Sequence, residues 1–440
     1  MSSLINIGFS GLNSSQIALN VVGQNIANAN TIGYSRQEAQ FGSLSGFGRL
    51  DNGLGVEVTG VRRISDSYLL NQQWRATSSL GYSNSYHQYI NTTEQVFGSE
   101  SMGLTGGLDG FFAALNAAVD SPETSAPRDQ VISSANALAN RFHMLDSNLV
   151  TQERQLEEHL DSSINQANSY MQQVADLNAQ IREVSARGGN TSELEDRRDE
   201  AVRELSSLME VRVTTQPNGD YDLSLPQGQP LVLGSSCSEL KRNGDELSLT
   251  FGTQTMGVSS FGQGSIGGLI DYRDEVVRPL RDELGEIAVK FADDFNAKQE
   301  GGLDLNGNPG KPMFVYDPAN PAGSLRIADG FTGSDLAFAS SDGGAGDNRN
   351  LQEMLTIKDS QYDAYTNLLG RLAIRSSQAK SDLNANAQME ALATDQVSSV
   401  SGVNVDEEGI KLMTYTKAYQ ANAKVISTAD QLLSTVLGMF

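Results

Sequence analysis

Hydrophobic positions recur every seven residues at both ends of this chain: Ile5, Leu12, Leu19 and Ile26 near the start, and Leu412, Tyr419, Ile426, Leu433 and Phe440 at the end. A seven-residue apolar repeat keeps one stripe of a helix turned toward a partner helix, so each end reads as half of a coiled coil. Nearly the whole chain lies between the two halves, which predicts that the termini meet and the middle hangs from them as an insertion. Residues 4–30 read as one helix, with Asn6, Asn13 and Asn20 repeating on a different face. Gly8, Gly11 and Gly23 each weaken that helix by about 1 kcal/mol relative to Ala, so it forms only when packed. Three residues on from the main C-terminal series runs a mixed row, Tyr415, Asn422, Ala429 and Val436, which suits a surface shared with several neighbours.

Between the ends the period changes twice. Residues 31–70 are Gly-rich and partly extended, with Val56, Val58 and Val61 predicting short strands. From about 85 to 210 the pattern is helical. Leu160, Ile164, Ala167, Met171, Val174, Leu177, Ile181 and Val184 step by three or four, as on one long amphipathic bundle helix. Residues 191–210 predict a shorter charged helix folding back after Gly188 and Gly189. At Val211 the period becomes two. Asn218-Gly219 precedes Tyr221, Leu223 and Leu225, and Asn243-Gly244 precedes Leu247, Leu249 and Phe251. Asn-Gly between alternating runs signals a hairpin whose tight turn needs positive φ at both central residues, so 211–255 reads as a small β module. Helix resumes over 266–298, with Val277, Leu280, Leu284, Ile287, Phe291 and Phe295 on one face. Residues 300–350, rich in Gly, Asp, Asn and Pro, read as a loop or second β module. From 351 onward the chain is helical, broken near Ser401-Gly402.

Composition acts mainly by exclusion. A length of 440 residues holds two or three domains. Hydrophobic residues make up 38%, and no apolar run approaches the roughly 20 residues of a spanning helix, so membrane insertion is not expected. A formal net charge of -23 disfavours nucleic acid as a partner. Cys237 stands alone, which leaves no intrachain disulfide framework and no thiolate cage. The first charged side chain is Arg36, so the N-terminus lacks the basic region of a secretory signal peptide. Taken alone, that argues for a cytoplasmic protein unless export reads something else.

Candidate chemistry is thin. Gly262-Gln-Gly264-Ser-Ile-Gly267 has the dinucleotide-binding spacing, but no hydrophobic strand leads into it; a loop needing positive φ is the better account. Asp304-Leu-Asn306-Gly-Asn308 starts like a calcium loop, yet Pro309 stands where Gly is needed and Val315 where a bidentate Glu is needed. His87, His143 and His159 lack ligand or triad spacing. Pairs such as Glu195-Asp196 and Asp406-Glu407-Glu408 abound in any acidic chain. The latter follow Asn404, an N-cap with Glu407 three residues on. No catalytic, cofactor or metal residues are assigned.

The segment Asn25-Ile-Ala-Asn28-Ala-Asn30-Thr31-Ile-Gly33-Tyr34-Ser-Arg36-Gln37 resembles the N-terminal motif of the bacterial flagellar axial proteins: rod, hook and hook-associated proteins. Ser401-Gly402-Val403-Asn404-Val405-Asp406-Glu407-Glu408 and Tyr415-Thr-Lys-Ala418-Tyr419-Gln420-Ala421-Asn-Ala423 resemble the C-terminal motif of the hook-associated protein 1 family. Leu194-Glu-Asp196-Arg197-Arg198-Asp199-Glu and Gly268-Leu-Ile-Asp-Tyr-Arg273-Asp274 are similar to that family's internal landmarks, in the family's order. Thr416 stands where the family more often has Gln. The span between the helical segments is shorter than in the largest members, so an outer domain is absent.

This resemblance implies a structural protein of the flagellum, outside the cell, that self-assembles into a ring at the hook–filament junction. It implies the hook protein and hook-associated protein 3 as neighbours, export through the flagellar type III apparatus, and a cytoplasmic export chaperone on the C-terminal region. The expected fold is α+β, a terminal helical coiled-coil core plus an elongated helical-bundle domain with small inserted β-rich modules. The core is assigned to 1–70 and 400–440, the bundle to 71–210, 256–300 and 351–399, and the modules to 211–255 and 301–350. The expected assembly interface comprises Ile5, Leu12, Leu19, Ile26, Asn28, Thr31, Gly33, Leu412, Tyr415, Tyr419, Ile426, Leu433 and Val436. Alternatives are another axial protein (hook-associated protein 3, a hook or rod protein), against which residues 401–408 weigh, a cytoplasmic coiled-coil scaffold, or an enzyme resting on Gly262 to Gly267.

Overall fold

A computed structural model describes residues 2–44 and 55–439; Phe440, the last position of the C-terminal repeat, lies outside the described residues. In chain order the elements are α1 (Ser2–Ala27), β1 (Gln37–Leu44), β2 (Gly55–Arg63), α2 (Ser67–Gly98), α3 (Leu104–Ala117), α4 (Ser125–Ala186) and α5 (Ser192–Leu208). Seven strands follow: β3 (Arg212–Thr215), β4 (Tyr221–Ser224), β5 (Pro230–Leu233), β6 (Ser236–Cys237), β7 (Glu239–Asn243), β8 (Glu246–Phe251) and β9 (Gln254–Val258). Then come α6 (Ser265–Tyr272), a π-helical turn (Arg273–Val277) and α7 (Arg278–Glu300). Short pieces follow: β10 (Gly302–Leu303), β11 (Phe314–Val315), α8 (Pro321–Ser324), β12 (Arg326–Ile327) and β13 (Ala339–Ser340). The chain ends in α9 (Arg349–Leu355), α10 (Lys358–Ser401) and α11 (Val405–Leu437). Long helices with small sheets make this an α+β protein.

Two compact units form, and they cut across the expected segments. The first holds Met1–Leu80, Ile164–Gly264 and Asn386–Phe440, so the β module and the later part of α4 belong with the termini. The second holds Gly81–Ser163 and Ser265–Ala385, which includes the Gly/Asp-rich stretch. The bundle assigned by period is therefore shared, because one 62-residue helix, α4, contributes to both units.

In the first unit β1 and β2 form an antiparallel hairpin with a bulge between Gln40 and Phe41. The β module is two sheets, ordered β3-β4-β5-β6 and β7-β8-β9. Its turns differ from the expected Asn-Gly pair. Among the described residues only glycines have positive φ, with Gly219 at 87° and Gly244 at 62°. Thr215 pairs with Tyr221, so the first connection is five residues long and contains Pro217, whose fixed φ lengthens the loop. In the second, Asn243 pairs with Glu246 and the central residues are Gly244-Asp245, positive only at the first, as in a type II′ turn.

The second unit has an aromatic core. Phe111 of α3 meets Phe112, Phe291, Phe295 and Phe314 at centroid distances of 5.4, 5.6, 5.3 and 6.1 Å, all edge-on. The predicted stripe from Val277 to Phe295 is buried throughout. The helix carrying it is not continuous, however. Pro279 cannot donate to the carbonyl of Glu275 one turn earlier, and the chain widens into the π-helical turn there. Arg375 of α10 supplies the missing donor, at 2.5 Å from that carbonyl. Arg128, 1% exposed, donates to the carbonyls of Pro122, Gly333 and Leu336 and stacks on Phe338. Asp304 is a turn former: its Oδ1 accepts from the amides of Asn306 and Asn308, both at 2.8 Å.

Candidate assembly site at the paired termini

α1 and α11 pack against each other along most of the length of α1, running antiparallel: Gly8 faces Ile426, Gly11 faces Asn422, and Asn25 faces Glu408. The close approach depends on the two glycines. A Cβ on Gly8 would sit 2.8 Å from Ile426 Cγ1, and one on Gly11 would sit 2.6 Å from Asn422 Oδ1. Gly23, by contrast, faces open space. The residues that weaken α1 in isolation are thus, in two cases of three, those that let it pair.

The expected seam is displaced. The buried residues of α1 follow coiled-coil spacing through Gly8, Gly11, Ser15, Ala18, Val22 and Asn25, with Ser14 and Val21 beside them; apart from the two valines all are small or polar. Ile5, Leu12, Leu19 and Ile26 are only half-buried along its flank. On α11 the row toward α1 is Glu408, Tyr415, Asn422 and Ala429, the mixed series, joined at Gly8 by Ile426 of the apolar one. Leu412, Leu433 and Val436 are 39%, 36% and 40% exposed, and Tyr419 and Ile426 are half-buried. Small side chains win the inner face because two backbones approach closely only where little projects between them. Asn28, Thr31 and Gly33 lie off this seam. They shape the turn after α1, where Asn28 accepts from the Thr31 hydroxyl at 3.2 Å and Gly33 takes φ 78°.

Where the pair meets the rest of the unit, three of the quoted motifs converge. The Asn25 amide is fully used: Nδ2 donates to the Gln37 carbonyl at 2.9 Å and to Glu408 Oε2 at 3.0 Å, while Oδ1 accepts from the Tyr34 hydroxyl at 2.8 Å and the Gln37 amide at 3.0 Å. Glu408 is fully buried, and its other oxygen accepts from Lys411 Nζ at 2.7 Å. The Arg36 amide donates to the Ser401 carbonyl at 2.7 Å. Asn404 caps α11, accepting from the amides of Asp406 and Glu407. Burial, with the charges of Asp196 and Glu408, pushes the Tyr34 hydroxyl up to about 12.

The third motif enters through α5. Asp196 Oδ2 accepts from the Ser35 amide at 3.1 Å. Arg63, at the end of β2 and 7% exposed at its side chain, pairs with Asp199, with Asp196 at 2.8 Å and with Glu195 at 3.6 Å. Burial opposes its charge, but the two aspartates hold the Arg63 guanidinium above its ordinary range. A buried charge of this kind persists only when paired, so Arg63 ties the hairpin to α5. Arg63 is absent from the sequence expectations, and Glu408 is expected there only as a first-turn acid of the helix after Asn404, not as the buried partner of Asn25. The signal for Glu408 was present, since it stands seven residues before Tyr415. Arg63 carried none, because its partners lie more than 130 residues away. The fourth motif sits in the other unit, where Asp271 accepts from Tyr82 at 2.9 Å and Gly268 lets α6 cross α2.

The glycines of the candidate nucleotide loop serve a chain crossing. Gly264 has φ 95°, donates to the Ser78 carbonyl at 2.9 Å, and would place a Cβ 2.5 Å from the Met209 backbone. A polar cleft of about 910 Å³ borders Arg36, Arg63, Asp196, Asp199, Glu390 and Glu407, and neither His nor Cys lines it. Among the described residues no group of three or more His, Cys, Asp or Glu could hold a metal ion, and no helix is long and apolar enough to cross a membrane.

Known proteins place both ends in one class. Residues 5–34 match the family described as flagella basal body rod protein, and residues 395–439 match the C-terminal family of the flagellar basal body rod FlgEFG proteins. The termini are those of the flagellar axial proteins. Residues 90–314, just over half the chain, match the family described as flagellar hook-associated protein FlgK helical domain, and the chain belongs to the hook-associated protein 1 (FlgK) family. It is 30% identical to flagellar hook-associated protein 1 of Salmonella typhimurium and 26% identical to that of Bacillus subtilis. Coverage is 100% of this chain and of the Salmonella protein, and 97% and 96% in the Bacillus comparison. The Salmonella alignment runs over 554 positions against 440 residues here, so that relative carries insertions this chain lacks. The structure of the flagellar hook junction protein FlgK from Burkholderia pseudomallei shares the fold, with a TM-score of 0.68 at 17% identity over 75% of this chain and 100% of that one.

Proposed function

We propose that this flagellar structural protein is the hook–filament junction subunit and that it assembles through its paired terminal helices. One observation carries the reading: the pair turns small residues inward and leaves large apolar ones outward, among them Phe9 at 64% exposure, Ile410 at 61% and Leu433 at 36%. Such a surface is buried at little cost only against other subunits. Ile5, Leu12, Leu19, Ile26, Leu412, Tyr419, Ile426, Leu433 and Val436 then contact neighbouring copies in a ring, with the hook protein on one side and hook-associated protein 3 on the other. Short of those neighbours the ends are only partly buried, which suits export as an unfolded chain through the type III apparatus and a chaperone covering α11 until then. Leu433→Asp, or removal of residues 412–440, abolishes filament growth while hooks remain intact. Normal swimming by either variant refutes assembly through the termini.

A further inference from the structure

We infer that the free C-terminal end of α11 docks in a groove between α1, the β1–β2 hairpin and α11 of a second copy, a head-to-tail contact. The inference rests on the reading that the terminal helices carry assembly, and it adds which segment meets which.

The free end is a product of register. With Gly11 opposite Asn422 and Gly8 opposite Ile426, Ser2 at the start of α1 lies opposite Gln431 and Leu432, and the residues of α11 beyond Leu432 run past it. Every residue from Asp430 to Met439 is exposed, with Leu432 at 49%, Leu437 at 68% and Met439 at 76%. Residues 431–439 carry no charged side chain. The receiving surface lies on the same helix pair. A groove of about 420 Å³ is lined chiefly by Ile7, Gly11, Phe41, Val56, Tyr415 and Ala418, and none of its lining residues is charged. In a chain of net charge -23, two uncharged apolar surfaces are where copies approach without mutual repulsion and without stripping water from charges.

The chain cannot fill its own groove with this segment. Ala418 and Leu437 lie on one straight helix, roughly 28 Å apart at 1.5 Å per residue. The occupant is therefore a second copy displaced along the helix axis by about 25 Å, which brings the middle of one free end beside the groove of the next. The two surfaces differ, so the contact is heterologous: each copy gives one and receives one, and the series continues until it closes.

The test uses flagella from cells whose chain carries Cys237→Ser, Ala418→Cys and Leu437→Cys. A disulfide within one chain is impossible at this separation, since bonded cysteines need Cα atoms within about 7 Å. Oxidation of isolated hook–filament structures is expected to give a ladder of dimers, trimers and larger multiples. Each single-cysteine chain alone then stays monomeric, and cells making both single-cysteine chains give dimers and no ladder. The pair Ile7→Cys with Leu437→Cys reads the same contact if Ala418→Cys blocks assembly. The inference is overturned by filaments that yield no cross-link, by cross-linking to a protein of another mass, or by dimers from Leu437→Cys alone. Filaments in those same cells show that terminal assembly stands even then, whereas Leu433→Asp tests assembly itself.

Discussion

The aromatic core of the second unit and the helix pair of the first are built on opposite principles. Around Phe111 the largest side chains point inward, and Phe291, Phe295 and Phe338 are fully buried. In the α1–α11 pair the inward positions go to Gly, Ser, Ala, two Val and a buried Asn–Glu pair, while most of the Leu, Ile, Phe and Met side chains are exposed or half-buried. The first arrangement satisfies its hydrophobic surface within one chain. The second leaves burial incomplete, and the difference separates a core closed on itself from a helix pair that keeps large apolar side chains exposed.

Five substitutions sharpen or break this contrast. Phe111→Ala removes the hub of a closed core and costs about 3–5 kcal/mol, read by urea denaturation followed by circular dichroism. A loss under about 1 kcal/mol would mean that the core is not closed. Arg63→Met leaves Asp196 and Asp199 buried without their cation and costs about 3–5 kcal/mol. Trp74, the chain's single tryptophan, is 3% exposed in the same unit, so its fluorescence follows that loss directly.

The glycines give a smaller, two-signed effect. Gly8→Ala forces a methyl against Ile426 and the Asn422 carbonyl and destabilises the helix pair by about 1–3 kcal/mol. Gly23→Ala, in open space within a helix, stabilises by about 0.5–1 kcal/mol. Equal effects at the two sites, by helix content against temperature, would show that α1 and α11 do not pair closely.

The smallest effect is on pH. Tyr34 stays protonated in the folded chain up to about 12, against 10.0 unperturbed. Between those values the unfolded chain binds fewer protons, so this contribution is full below pH 10, falls as pH rises, and is gone above about 12. Tyr34→Phe removes that alkaline slope, measured as urea midpoint against pH.

Much of the element order was legible in the sequence: the α4 stripe, the break near Ser401-Gly402, and the Asn404 cap all fall where period and capping chemistry put them. The hairpin turns were misjudged because Pro217 and Asp245 shifted which residues occupy the turn centre. The seam was misjudged for a better reason. The apolar heptads Ile5 to Ile26 and Leu412 to Leu433 dominate any periodic reading, while Gly8, Gly11 and Ala18 make no hydrophobic signal at all.

By itself, the sequence determined that two helical ends exist, that a β module interrupts helices, and that the chain is uncharged at its first 35 positions. Periodicity is a property of one helix, and it is written in the order of residues. Which face turns inward is a property of two helices. Only the tertiary structure decided that, because the close contacts at Gly8 and Gly11, the Asn25–Glu408 contact and the Arg63 ion pairs join residues more than a hundred positions apart.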